Sequence, residues 1–158
     1  MRTVAAAVVG AAITLATVTI SPPAGAWWAY AQWGMNEAQL VAASQGRAKP
    51  CRRGVVACSR LFNKLEPKLY VDGIAVGGFT CSASFGFHSQ GLLSQTILLF
   101  ENAEFSRLSD ALSDRYGAAR EDRPGVFPVR VWWDLKKGTI ITMTGAEGIV
   151  RVSYEPAS

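Results

Sequence analysis

The sequence contains a single histidine and no pattern that places a nucleophile beside a base. His88 falls in a predicted turn and is expected to be an ordinary surface residue, so a Ser-His-Asp triad lacks its base. Neither a Gly-x-Ser-x-Gly elbow nor a phosphate-cradling Gly-Lys-Ser/Thr loop is present. Asp110 and Asp114 lie four apart on a predicted helix, but neighbouring arginines indicate a solvated face rather than an acid–base pair. We therefore predict that the protein is not an enzyme and uses no cofactor.

Cysteine is also scarce, with Cys51, Cys58 and Cys81 in the whole chain. One histidine and no Cys-x-x-Cys pair do not make a metal site. In an oxidising compartment two of the three cysteines should pair, and three pairings are possible. We expect Cys51–Cys58, because these two residues lie seven apart in a loop-rich stretch. Cys81 lies on an apolar strand face that suits a buried free thiol, although it could pair if the 51–58 loop packs across the sheet.

Long apolar runs are absent after the first twenty residues. Arg2 precedes an uncharged, mostly apolar run at 3–20, and Pro22-Pro23 and a small-x-small site at 24–26 follow. This pattern predicts a cleaved signal peptide at 1–26. A retained anchor is the alternative, but the run is short and diluted by threonine for a spanning helix. We expect an exported, periplasmic or extracellular protein with one domain at 27–158 and no transmembrane segment.

Basic residues exceed acidic residues only slightly, 16 against 12. This excess does not indicate nucleic-acid binding. The basic residues are densest at Arg47, Lys49, Arg52 and Arg53. That cluster is a candidate surface for anionic lipid headgroups, glycan phosphates or an acidic partner; the alternative is a loop that its charges keep hydrated.

Two helices are predicted. Asn36 and Gln39 form a capping-box pattern that predicts a helix at 37–45. A second helix is predicted between an Asn102 cap and Gly117. Its apolar residues recur at three- and four-residue spacing, which gives one buried stripe. The stripe consists of Phe105, Leu108, Leu112 and Tyr116.

The remaining periodicity is that of strands. Residues 79–88 alternate between apolar and polar side chains, as in a half-buried strand. Asp72-Gly73 is a hairpin signal between 68–71 and 74–76, and Gly77-Gly78 is interpreted as a bulge. Short connections make the strands antiparallel. We expect an α+β fold: one antiparallel sheet of about five to six strands with two short helices on one face. The other strands are predicted at 92–100, 128–134, 139–144 and 149–154.

The chain carries five tryptophans, and two of them are adjacent in a predicted strand. Strand periodicity places Val131 and Trp133 on one face and Arg130 and Trp132 on the other. We expect Trp132 to lie on the open face of the sheet, with Arg130 and Arg151 as its neighbours in a contact surface. The alternative is that loops or the 27–33 segment cover Trp132.

Two segments carry a family resemblance. Trp33-Gly34-Met35, followed by residues 36–40 and a helix ended by Gly46, resembles the opening of small bacterial exported proteins. The stripe at 105–117 and the meander containing Trp132 resemble the second half of the same kind of module. The type is similar to the BamE/SmpA–OmlA outer-membrane assembly lipoproteins and the β-lactamase-inhibitor-like modules. The resemblance implies helices laid on an antiparallel sheet and a role in protein binding. The lipid-anchoring cysteine of the assembly lipoproteins is missing here, so membrane attachment is not implied.

These observations predict a non-enzymatic, exported module that binds another protein or an envelope component. One alternative is a small extracytoplasmic enzyme with an atypical site, which predicts a deep pocket with a perturbed acid–base group. The other is a structural envelope protein without a discrete ligand. The candidate interaction residues are Trp132, Arg130, Arg151, Arg47, Lys49, Arg52 and Arg53.

Overall fold

The computed structural model describes residues 30–76, 78–146 and 148–157. The predicted signal peptide at 1–26 and the expected start of the mature chain at 27 lie outside these residues.

The described residues form two α-helices and eight strands. Helix α1 is Glu37–Ala43 and helix α2 is Phe105–Tyr116. Two single-turn 3-10 helices, Val56–Cys58 and Arg60–Phe62, lie between the first two strands. The strands are β1 Lys49–Pro50, β2 Pro67–Val76, β3 Phe79–Phe87, β4 Leu93–Glu101, β5 Glu121–Arg123, β6 Val129–Asp134, β7 Thr139–Ala146 and β8 Ile149–Pro156.

Both helices begin and end at recognisable residues. The capping box predicted for α1 is confirmed, since the Asn36 side chain accepts a hydrogen bond from the Gln39 N–H and the Gln39 side chain accepts one from the Asn36 N–H, both at 2.9 Å. Gly117 ends α2 with a φ of 83°, as expected of a glycine at that position. The prediction that Asn102 caps α2 is wrong: the cap is Glu104, and the Asn102 N–H donates to the Gly148 carbonyl at 2.8 Å.

All eight strands belong to one antiparallel sheet, in the order β1-β2-β3-β4-β8-β7-β6-β5. Our expectation of five to six strands is therefore wrong. Strands β1 and β5 have two and three residues, too few for a periodic signal. The hairpin predicted at Asp72-Gly73 is also wrong. Strand β2 continues through both residues with a register shift between Val71 and Ile74, and the chain turns back after Val76, which pairs with Phe79.

The core lies between the helices and one face of the sheet, which we call the helix face. Leu40 of α1 and Leu108 of α2 are fully buried in one cluster with Phe85, Phe100 and Trp132 of the sheet. Both helices therefore pack on the same face, as expected for two amphipathic helices that bury their stripes on one sheet. The opposite side of the sheet is called the outer face.

The strand order repeats on either side of the central pair β4–β8. The first half consists of α1 and β1–β4, and the second half of α2 and β5–β8. Each half is a helix, a short edge strand and a three-stranded meander, and the last strands of the two halves pair with each other.

Candidate functional site

The predicted contact surface around Trp132 is not formed. Trp132 is 0% exposed and packs in the core on the helix face. Arg130 lies on that same face, where it contacts Ser109 of α2, pairs with Asp122 at 3.1 Å and sits 5.9 Å from the Phe105 ring. Helix α2 covers these positions, so the expectation that Trp132 faces solvent is wrong.

Arg151 lies on the outer face, opposite Trp132. Its neighbours along β8, Val150 and Val152, belong to the core cluster, and side chains alternate along a strand. The Arg151 Nε donates to the Phe62 carbonyl at 2.6 Å. Burial lowers the pKa of Arg151, and nearby Glu155 opposes that shift. The structure thus separates Arg151 from Trp132 and Arg130 by the thickness of the sheet.

The predicted disulfide is confirmed. Cys51 and Cys58 are bonded, with their Cα atoms 5.7 Å apart. Cys81 is the free thiol expected on the apolar strand face, and it is buried. Burial raises the pKa of Cys81 to about 12, so this thiol stays protonated and is a poor nucleophile at neutral pH.

The disulfide begins a stretch that lies across the outer face of the first half. We call residues 51–66 the cover segment. The Ser84 hydroxyl donates to the Asn63 side chain at 2.9 Å. The Gln95 Oε1 accepts from the backbone N–H groups of Lys64 and Leu65, at 3.2 and 3.4 Å. Polar side chains of the sheet therefore satisfy backbone and side-chain groups of an irregular segment.

Glu155 of β8 extends this network. It accepts from the Gln95 Nε2 at 3.2 Å and pairs with the Lys64 ammonium at 2.9 Å. Gly86 allows the cover segment to approach β3 closely, because a Cβ at this position would lie 2.9 Å from the Leu65 Cβ. The cover segment is thus fixed to the sheet by three neighbouring strands.

The cover segment presents cationic and apolar side chains side by side. Arg52 and Arg53 are exposed, and no ion pair holds either of them within the described part of the chain. Val56 is 49% exposed and Leu61 is 90% exposed. Together with Arg60 these residues line a hollow of about 880 Å³. We call Arg52, Arg53, Val56, Arg60 and Leu61 the loop surface.

The predicted basic cluster is only partly brought together here. Arg52 and Arg53 line the hollow, whereas Arg47 and Lys49 are exposed outside its lining, and Lys49 lies in the edge strand β1. Sequence reasoning missed Arg60 and Leu61, which fall where the sequence favours neither helix nor strand. The signal that could have indicated this surface is the adjacent pair of a cationic and an apolar residue that follows the disulfide loop.

A second hollow, of about 930 Å³, lies where α2, the end of β6 and the β6–β7 turn meet. The Arg120 guanidinium stacks over the Trp133 ring at 5.0 Å, and Arg115 lies 5.6 Å from the Tyr116 ring. Trp133 is 42% exposed. We call it the Trp133 hollow. The residues that define it are Arg115, Arg120, Trp133, Leu135, Lys136 and Lys137.

The polar groups around the Trp133 hollow differ in their partners. Asp134 is the carboxylate in its lining. The Lys137 Nζ is buried and has no hydrogen-bond partner within the described residues. Burial raises the pKa of Tyr116, with Arg115 opposing, so the phenol stays protonated at neutral pH. Apart from the Asp134 carboxylate, these groups offer hydrogen-bond donors and positive charge.

The residues considered for catalysis are not assembled into a site. His88 lies in a turn and its Nδ1 accepts from the Gln90 N–H at 2.9 Å. Asp110 and Asp114 are both exposed on α2. Among the described residues, no group of three or more His, Cys, Asp or Glu side chains could hold a metal ion. None of the helices in the described residues is long and apolar enough to cross a membrane.

No protein-family model, no curated protein and no solved structure matches the chain. The loop surface and the Trp133 hollow are therefore the candidate functional sites.

Proposed function

We propose that the chain is an exported, non-enzymatic binding module that recognises an acidic segment of another envelope protein through the loop surface. The observation that carries the proposal is the pair Arg52 and Arg53, exposed and without an ion pair within the described residues, next to a Leu61 that is 90% exposed. Exposed apolar side chains grouped with arginine are typical of contact surfaces.

The loop surface is pre-organised. The Cys51–Cys58 bond closes the loop, and Ser84, Gln95 and Arg151 hold the residues that follow it. A partner that binds here does not have to order a flexible loop, which reduces the entropy cost of association.

The charge of the loop surface favours carboxylates. A guanidinium presents a planar fork of N–H donors that fits a carboxylate with two hydrogen bonds. The nearest acidic side chain in the lining, Glu66, is already engaged by Arg60 at 3.4 Å and Lys68 at 3.5 Å. Arg52 and Arg53 are therefore the cations available to an acidic partner, and Val56 and Leu61 supply apolar contact beside them.

Export is part of the proposal. The disulfide is compatible with an oxidising compartment outside the cytoplasm, where such bonds persist. The signal-peptide pattern at 1–26 supports the same location. The net positive charge is too small to indicate nucleic acid as the partner, and an exported protein meets proteins and other envelope components instead.

The proposal is tested by site-specific photo-crosslinking in cells that produce the full chain with its leader. A photoreactive amino acid replaces Leu61, and adducts are identified by mass spectrometry of the envelope fraction. We expect one dominant protein adduct whose contacting peptide is rich in Asp and Glu. Arg52→Glu combined with Arg53→Glu should lower its yield at least tenfold, because both carboxylate-binding forks are reversed in charge.

The matched control is Arg47→Glu combined with Lys49→Glu. It makes the same change in net charge nearby, but outside the lining of the hollow, and should change the yield less than twofold. Equal losses in both double variants would show a general charge effect and overturn the loop surface as the site. Unprocessed chain confined to the cytoplasm would overturn export.

A further inference from the structure

We propose that the Trp133 hollow is a second binding site, separate from the loop surface, for a ligand that carries a phosphate group. The hollow has a positive charge, a buried ammonium without a hydrogen-bond partner among the described residues, and an arginine over an exposed tryptophan. None of these features involves the loop surface.

The first observation is the charge. Arg115, Arg120, Lys136 and Lys137 line the hollow, and Asp134 is the carboxylate among them. A phosphate monoester carries a charge of about −1.5 to −2 at neutral pH and three strong acceptor oxygens. A singly charged carboxylate ligand would bring less negative charge and fewer acceptor oxygens to Arg120, Lys136 and Lys137.

The second observation is Lys137. Its Nζ is buried and lacks a hydrogen-bond partner among the described residues, and the residue lines the hollow. A buried ammonium without an acceptor is unfavourable, and buried charges are normally paired. An anion bound in the hollow would supply the missing acceptor.

The third observation is the Arg120–Trp133 pair. The Arg120 Cζ lies 5.0 Å over the Trp133 ring, a cation–π contact that keeps the guanidinium beside the indole. A guanidinium carries five N–H donors, so one in such a contact can still donate to phosphate oxygens. Trp133 is 42% exposed and Leu135 is 68% exposed, so the same hollow offers an apolar surface to the rest of the ligand. The geometry suits a phosphate attached to a ring or a hydrocarbon portion.

Phosphate of this kind has two sources outside the cytoplasm, a soluble phosphorylated saccharide and a phospholipid headgroup. The shared chemistry is tested first, with inorganic phosphate as the probe. In nitrogen–proton NMR spectra of the purified exported chain, we expect the Trp133 indole N–H signal, assigned with Trp133→Phe, to shift on titration. Lys137→Met and Arg120→Gln should each weaken phosphate binding at least tenfold.

Arg107→Gln is the matched control and should alter the affinity for phosphate less than twofold. Arg107 is exposed and lies 5.1 Å over the Phe79 ring, but it lines neither hollow. Arg120 is exposed, so its variant retains the fold and keeps the test valid if Lys137→Met does not fold. No phosphate-dependent shift, or the same affinity in the Arg120→Gln and control proteins, would overturn the proposal.

Two further arms identify the source. A hexose phosphate that binds at least tenfold more tightly than inorganic phosphate would support a soluble saccharide. Sedimentation with phosphatidylglycerol vesicles, lost in Arg120→Gln but retained in the Arg107→Gln control, would support a headgroup. If neither probe binds better than inorganic phosphate, the inference of a phosphate-bearing organic ligand is overturned.

Discussion

The two halves of the molecule share their strand order but differ on the outer face of the sheet. In the first half the cover segment lies over β2, β3 and β4. In the second half the connection between β5 and β6 is the short stretch 124–128, and the outer side chains of β6 and β7 other than Val131 stay partly exposed. Trp133, Ile140 and Thr142 are among these residues.

The helix face forms one continuous core across both halves. The outer face differs, because the cover segment lies over it in one half only. The cover segment also carries the loop surface, whereas the open half has the Arg120–Trp133 pair. Three predictions test this contrast.

The largest effect is expected at Trp132, which tests the continuity of the helix face into the second half. Trp132→Ala removes a fully buried indole and should lower the free energy of unfolding by about 3–5 kcal/mol. Trp133→Ala, one position along the same strand but on the outer face, should cost about 1 kcal/mol or less. Urea denaturation followed by circular dichroism measures both; equal losses would contradict the assignment of the faces.

A smaller effect is expected from removing the disulfide, which tests whether the cover segment acts on the first half alone. Cys51→Ala combined with Cys58→Ala removes a short cross-link and should lower the free energy of unfolding by about 2–3 kcal/mol. Hydrogen exchange should accelerate most in residues 51–66, through local opening, and in β6 and β7 by no more than the loss of global stability requires. Uniformly faster exchange would indicate that the cover supports the whole sheet.

The smallest effect is expected at Gln95, which fixes the cover by hydrogen bonds. Gln95→Leu leaves the N–H groups of Lys64 and Leu65 without their acceptor and should cost about 1–2 kcal/mol in thermal or urea unfolding. Thr142→Val is the control on the uncovered outer face and should change stability by less than about 0.5 kcal/mol. A Gln95 variant as stable as the control would show that the cover is held by apolar packing instead.

Local signals in the sequence predicted local structure well. Asn36 and Gln39 specify the start of α1 through hydrogen bonds three residues apart. The separation of Cys51 and Cys58 makes their pairing favourable, and the alternation along β3 identifies its two faces. In each case the physical cause lies within a few residues of the pattern.

The errors concern choices that distant residues decide. Periodicity separates Trp132 from Trp133, but only the position of α2 determines which of them is buried. Val131 lies on the same face as Trp133 and is only 7% exposed. Strand β6 therefore carries apolar side chains on both faces, and its sequence does not indicate which face α2 covers. Arg130 added to the error, because it lies on the helix face and reaches Ser109 and Asp122.

The candidate site was predicted only in part, again because distant residues decide where some of its side chains lie. The basic residues Arg52 and Arg53 are visible as a cluster, but their neighbour Leu61 is placed by the fold of the cover segment. The Trp133 hollow joins residues from α2, the loop after it and the β6–β7 turn. No spacing within one segment of the sequence indicates that those parts meet.

The central pairing of β4 with β8 has a consequence for how the chain reaches this structure. Within each half the meander closes between strands that follow one another, whereas residues such as Thr96 and Tyr154 must meet from distant parts of the sequence. Contacts of such high contact order form slowly, so we expect each meander to assemble before the two are joined. A neighbouring copy can offer the same ladder, and exchange of halves between copies at high concentration is the associated route to misassembly.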